Sequence, residues 1–315
     1  MSSPDGAKAV VAALAANLAI AVSKFVAFAF TGSASMASEG VHSLADSGNQ
    51  LLLLLGGHRA QRAPDVEHPF GYGRSRYIYA FVVSIVLFSV GGLYAVVEGV
   101  STLAHPEPLH SPRWAIAVLV VAVVIEAASL RTAVAQAGPA RAGASWWQFV
   151  RHAKAPELPV VLLEDTGALA GLAAALVGVS LAAGTGDARW DGLGSLTIGL
   201  LLVAIAALLA VEMNSLLIGE AASDADVASI RAALEADDDI VGVIHLRTMH
   251  LGPNELLVAA KIAVAHDDSA AVVARAIDAA ELRVRAAVPI ARLIYLEPDL
   301  LGARGTVGDG AVGGS

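Results

Sequence analysis

The sequence predicts a helical membrane bundle, all-α, followed by a small soluble α/β domain. Three observations carry that reading. The 315 residues are 56% hydrophobic and only 16% charged, whereas a soluble domain carries roughly 25% charged residues. The mean hydropathy is +0.66. The charge is also uneven: from Glu220 onward there are 15 Asp/Glu against 8 Lys/Arg, while residues 1–219 hold 14 against 12. The absence of cysteine excludes a disulfide scaffold, a zinc-thiolate protein and a thiol nucleophile. A net charge of −9 with a pI of about 5.4 argues against a nucleic-acid partner.

A bilayer-crossing helix needs about 20 mostly apolar residues. Six stretches qualify: Ala7–Phe30, Ser35–Leu55, Tyr77–Ser101, Trp114–Ala135, Pro159–Ala183 and Leu193–Ile218. The first is too long for the apolar core of a signal peptide and carries Asn17 and Lys24. Orientation follows from the basic residues. With the N-terminus inside, the inner segments hold Lys8, Arg59, Arg62, Arg74, Arg76, Arg131, Arg141, Arg151 and Lys154, and the outer loops only Arg113 and Arg189. The positive-inside rule supports that orientation. Six spans then return the chain to the cytoplasm. The expectation is a multi-pass plasma-membrane protein with both termini cytoplasmic, in keeping with its Ala- and Gly-rich composition.

The acidic tail has its own punctuation. Ser223 opens a helix to about Ala236, with Asp224 and Asp226 in its first turn. Ile240–Leu251 and Glu255–Ala265 read as strands joined at Gly252-Pro253-Asn254. Ser269 opens a second helix to about Ala287, and Ala291–Leu296 is a last strand. The division expected is therefore a transmembrane domain over 1–219, an α/β domain over 220–300 and a disordered Gly-rich tail over 301–315.

Ionisable side chains at membrane depth are costly, and each one is a functional hypothesis. The second span holds Glu39, His42 and Asp46 at i, i+3 and i+7, on one helical face. His42 and Asp46, four apart, bring an imidazole nitrogen and a carboxylate to one point beside the helix. Both suit a divalent transition metal; the alternative is a hydrogen bond that joins helices. Glu164 and Asp165 on the fifth span are adjacent, so they diverge by about 100° around the helix. One faces a site and the other a neighbouring helix, or both lie solvated at the mouth. Glu98 and Glu212 lie near span ends and read as solvated anchors, while Glu126 is more central. Asn17, Asn49 and Gln50 read as helix-packing groups.

These residues carry a resemblance. Ser38-Glu39-Gly40-Val41-His42-Ser43-Leu44-Ala45-Asp46 resembles the second-span motif of the cation diffusion facilitator family of divalent-metal/proton antiporters. Asp65-Val66-Glu67-His68-Pro69-Phe70-Gly71-Tyr72-Gly73-Arg74 is similar to its loop signature. Asp191-Gly192-Leu193-Gly194-Ser195, Leu217-Ile218-Gly219-Glu220-Ala221, His245-Leu246-Arg247-Thr248 and Tyr295-Leu296-Glu297-Pro298-Asp299 follow in the family's order. The Leu163-Glu164-Asp165 run, with Ser145-Trp146-Trp147 before it, resembles the branch that includes the ninth mammalian zinc transporter.

The resemblance implies a homodimer of six-span bundles, each with a cytoplasmic αββαβ domain, and a transport site between the second and fifth spans. His42 and Asp46 match the second-span ligand positions, and Asp165 matches the second position of the fifth span, where it would face the second span. The first position there falls on Val161, so Glu164 or a water would complete the site. Asp65 and His68 match an accessory metal site whose third position is Tyr72. His245 matches a cytoplasmic metal position, while Ala260 and Tyr295 replace two others.

The implied activity is export of divalent cations (zinc foremost, manganese or iron also possible) in exchange for protons, with no prosthetic group and no enzymatic reaction. Deprotonated ligands bind metal, so protons compete for the site, and histidine exchanges protons in the physiological range. Two rival readings are a transport-inactive scaffold partner, suggested by Val161, and a membrane-embedded hydrolase using His42 and Asp46. The hydrolase would require a nucleophile or metal-bound water within reach.

Overall fold

The computed structural model describes residues 4–141, 143–236 and 238–300, with side chains described throughout except at 4–16 and 140. The expected Gly-rich tail lies outside the described residues. The long helices are α1 (Pro4–Thr31), α2 (Ala34–Ala60), α3 (Ser75–Val86), α4 (Tyr94–Ala104), α5 (Pro112–Arg141), α7 (Glu157–Thr185) and α8 (Arg189–Ile218). A short α6 (Trp146–His152) joins α5 to α7. The second unit adds α9 (Asp224–Leu234), β1 (Gly242–Gly252), β2 (Glu255–Val264), α10 (Ala270–Ala287) and β3 (Ala291–Leu300).

Among the described residues, four helical stretches are long and apolar enough to cross a membrane: Ser75–Ala104, Pro112–Pro139, Glu157–Thr185 and Arg189–Ile218. Asn17–Thr31 is a shorter apolar stretch. α2 is 27 residues long, but Ser38, Glu39, His42, Asp46, Asn49 and Gln50 dilute its apolar character. The third stretch is not one uniform α-helix, as its composition suggested. Leu87–Leu93 is π-helical and joins α3 to α4. Wide turns of this kind recur at functional sites, and Gly91 in this one packs beside the His42 ring.

The chain divides into two compact units. One holds the chain to Arg62 together with Ser75–Asn214; the other holds Ala63–Arg74 and the chain from Ser215. The loop signature therefore groups with the α/β unit rather than with the helices that flank it in sequence.

In the helical unit, α2 packs against α1, α3, the π-helical turn, α4 and α7, and α5 packs against α1 and α7. The start of α2 is fixed by a residue far away in sequence. The Asp191 carboxylate accepts from the Ser33 hydroxyl (2.9 Å), from the Ala34 N–H (2.6 Å) and from the Ser35 N–H (3.3 Å). A carboxylate at a helix N-terminus satisfies donors that have no partner within the helix and complements the helix dipole.

In the α/β unit the sheet order is β1-β2-β3. β1 and β2 pair antiparallel, and β2 and β3 pair parallel. Leu256, Val258, Ala260 and Ile262 alternate inward along β2 and meet Ile230 and Leu234 of α9 and Ala276, Ala280 and Val284 of α10. Ser223 and Ser269 cap α9 and α10 by accepting from the Asp226 and Val272 N–H groups. β3 runs to Leu300 rather than Leu296 because its last residues continue the pairing with β2 as far as Val264. The loop signature lies against the β1–β2 turn: a Cβ on Gly73 would stand 2.8 Å from the Leu251 carbonyl oxygen. Glycine is required there by close backbone approach.

Candidate metal centre

α2 delivers His42 and Asp46 as their spacing requires. His42 Nε2 lies 3.4 Å from Asp46 Oδ2. His42 is buried and neither ring nitrogen has a hydrogen-bond partner among the described residues. Buried polar groups almost always have partners, so a bare imidazole beside a carboxylate is what a metal or proton site presents.

The two fifth-span acids point differently from the expectation. Glu164 faces α2: its Oε1 accepts from Asn49 Nδ2 at 2.7 Å, and the side chain is buried. Asp165 faces α5, where its Oδ2 accepts from Ser129 at 2.9 Å. The expectation puts Asp165 toward the second span and Glu164 in a secondary place. Neighbours about 100° apart on a helix face different ways, and the rotation of α7 decides which acid takes which side.

Asp46, Glu126, Glu164 and Asp165, with Val161, line one cavity of about 40 Å³. That is room for two or three waters, or one partly dehydrated cation. The cavity brings carboxylates from α2, α5 and α7 around a single space. Glu126, which the sequence places centrally on the fourth span without tying it to the site, lines the same cavity. Among the described residues, no three His, Asp or Glu side chains are drawn together closely enough to hold a metal ion at once.

A buried ion pair adjoins this centre. Lys24 Nζ stands 2.9 Å from Glu39 Oε2 and donates to Ser43 Oγ at 2.7 Å. Both charged side chains are 0% exposed. α7 admits the Glu39 carboxylate through Gly171, where a Cβ would stand 2.8 Å from Glu39 Oε1. The other expected packing group is present, with Asn17 donating to Gln50 at 3.1 Å. Glu212 departs from its reading as a solvated anchor; it is buried and paired with Arg151 at 2.8 Å.

In the α/β unit, Asp65 serves its own loop. It accepts from the Tyr72 hydroxyl (2.6 Å) and from the Glu67 and His68 N–H groups. The Tyr72 hydrogen bond, then the His68 N–H, hold its carboxyl below the ordinary carboxylate value. His68 stacks on Tyr72 with ring centroids 4.4 Å apart. His245 is exposed and pairs across the ladder with Lys261.

A model of the cation efflux transmembrane domain matches residues 10–218. The chain belongs to the cation efflux family. Relatives include the mitochondrial proton-coupled zinc antiporter SLC30A9 of Homo sapiens, 36% identical over 78% of this chain and 44% of that protein. Metal tolerance protein C4 of Arabidopsis thaliana is 30% identical over 81% of this chain and 56% of its own length. The cation-efflux pump FieF of Pectobacterium atrosepticum is 27% identical over 79% of this chain and 78% of that protein. The chain spans about half the length of the SLC30A9 and C4 relatives. These matches bear out the family and the branch read from the motifs.

They also correct the expected location. The SLC30A9 relatives are mitochondrial proteins by name, which overturns the plasma membrane as the expected site. The physical reason is that loop charge orients a family member within a bilayer but does not say which bilayer it is. The multi-pass membrane character stands.

Proposed function

We propose that this protein carries divalent transition-metal cations out of the compartment that holds its α/β domain, in exchange for protons. One observation carries the reading: carboxylates from three helices line a single cavity, and one of them, Asp46, lies beside the otherwise unpartnered His42. Buried carboxylates in such numbers require a cation or protons among them, and that requirement is the competition an antiporter needs. The zinc antiporter and cation-efflux relatives support the same direction.

Six membrane spans, α3 and α4 forming one of them, and a homodimeric assembly belong to this proposal. His42 and Asp46 supply the second-span ligands, Glu164 and Asp165 the fifth-span oxygens. Metal binding would exchange the hydrogen bonds of Glu164 with Asn49 and of Asp165 with Ser129 for the cation, in keeping with rigid-body alternating access around a fixed site. The donor set is one nitrogen with several oxygens. Zinc accepts such ligands, and manganese and ferrous iron tolerate them.

Reconstituted vesicles test the reading. Asp46→Asn keeps the shape and removes the charge, and His42→Ala removes the nitrogen. Each should abolish zinc-driven proton flux while the protein remains folded. Near-normal flux in Asp46→Asn would overturn the site.

A further inference from the structure

The helix α6 takes no part in the transport reading. The Ser145 hydroxyl accepts from the Gln148 N–H, and the Gln148 carboxamide accepts from the Ser145 N–H. This capping box fixes the start of a helix too short to persist on propensity alone. Phe149 and Val150 bury against Ala133 and Ala137 of α5 and Leu162 of α7. Trp146 and Trp147 are left 38% and 60% exposed.

Two grooves flank α6 on opposite faces. One, of about 320 Å³, is apolar and is lined by Leu130, Val134, Trp146, Trp147 and Leu163 among others. The other, of about 330 Å³, holds Arg141, Gln148, His152 and Lys154, and no acidic residue lines it. One contact links them: the guanidinium carbon of Arg141, from the second groove, lies 4.6 Å from the ring centroid of Trp146, from the first. Arg141 Nε is buried and has no hydrogen-bond partner among the described residues. A cationic groove with an unsatisfied guanidinium N–H, joined to an apolar groove floored by tryptophan, fits an occupant with an anionic head and a hydrocarbon tail.

We propose that the corner formed by α5, α6 and α7 binds one anionic phospholipid. Its phosphate would accept from Arg141, with Lys154 and His152 alongside, and an acyl chain would lie along Trp146 and Trp147. Guanidinium is the side chain suited to phosphate oxygens. Basic pockets between membrane helices are where anionic headgroups are held, and tryptophan marks the interfacial level. The positive-inside bias would explain the basic residues alone, but not their union with an apolar groove. Free phosphate would leave that groove uncovered, so the occupant is a lipid.

Tryptophan quenching by brominated lipid tests this without reference to transport. The full chain carrying Trp114→Phe and Trp190→Phe keeps Trp146 and Trp147 as its reporters. In phosphatidylcholine vesicles, brominated phosphatidylglycerol should quench them more strongly than brominated phosphatidylcholine at equal mole fraction. The expected preference is about fivefold for each basic group engaged, and so about 25-fold for Arg141 and Lys154 together. Arg141→Gln should reduce it by about fivefold, Arg141→Gln with Lys154→Gln should erase it, and Arg141→Lys should keep part of it. Added inorganic phosphate should leave the quenching unchanged. Equal quenching by the two lipids would overturn the proposal, whatever becomes of the variants. So would a preference that survives the double substitution, or one that inorganic phosphate removes.

Discussion

The buried pair of Lys24 and Glu39 makes a quantitative prediction. The perturbation is Lys24→Met and Glu39→Gln, singly and together. The charges are 2.9 Å apart and 0% exposed. At an effective dielectric near 20, unit charges about 3 Å apart attract by roughly 5 kcal/mol before desolvation is counted. Removing one partner leaves the other charge buried, which costs about 3–5 kcal/mol, whereas replacing both with neutral groups is close to neutral. For a unit of this size, 1 kcal/mol moves Tm by about 2–4 °C. Each single variant in detergent should therefore melt roughly 10 °C below wild type, and the double variant should recover most of that loss. The assay is thermal unfolding of the purified protein followed by circular dichroism, read as a double-mutant cycle. If the losses simply add, so that the double variant is the least stable of the three, the two side chains are not coupled. The account of Lys24 as the internal counter-ion of Glu39 would then be wrong.

Other predictions follow from the cavity, the α2 cap and the loop. Val161 lines the cavity without a donor, so Val161→His should raise preference for zinc over manganese in competitive vesicle transport, by roughly tenfold or more for one added nitrogen ligand. Unchanged selectivity would mean that another group already completes the site. Glu126→Gln should weaken zinc uptake, seen as a raised KM in vesicle flux, because it withdraws one of the four carboxylates around the cavity; an unchanged KM would remove Glu126 from the site. Asp191→Ala should cost about 1–3 kcal/mol by leaving the first N–H groups of α2 unpaired, seen as a lower melting temperature; unchanged melting would count against the cap. In the loop, the Asp65 pKa is lowered in the folded state, chiefly by Tyr72. Its contribution to stability is thus complete above the unfolded value of about 3.9 and disappears as pH falls through the lower folded value. Tyr72→Phe should move the Asp65 titration, followed by NMR, back upward, and a static titration would exclude the hydroxyl as the cause.

Local chemistry determined a large share of this molecule from its sequence. Apolar run length marked the long helices to within a turn or two. Ser223 and Ser269 marked the starts of α9 and α10, because an N-cap is set by one side chain and the next three N–H groups. The meeting of His42 and Asp46 is likewise written in a four-residue spacing on one helix.

What only the tertiary structure decided is how separate helices turn toward one another. A helix that is apolar around its whole circumference carries no stripe to tell which face is inward. Nothing local to α7 could therefore assign Glu164 to Asn49 and Asp165 to Ser129. Glu126 enters the cavity because α5 packs against α7, and Lys24 finds Glu39 because α1 packs against α2. Asp191 caps a helix that begins 157 residues earlier in the chain. Each of these depends on relative rotation and packing between elements distant in sequence, and no spacing within one element encodes it.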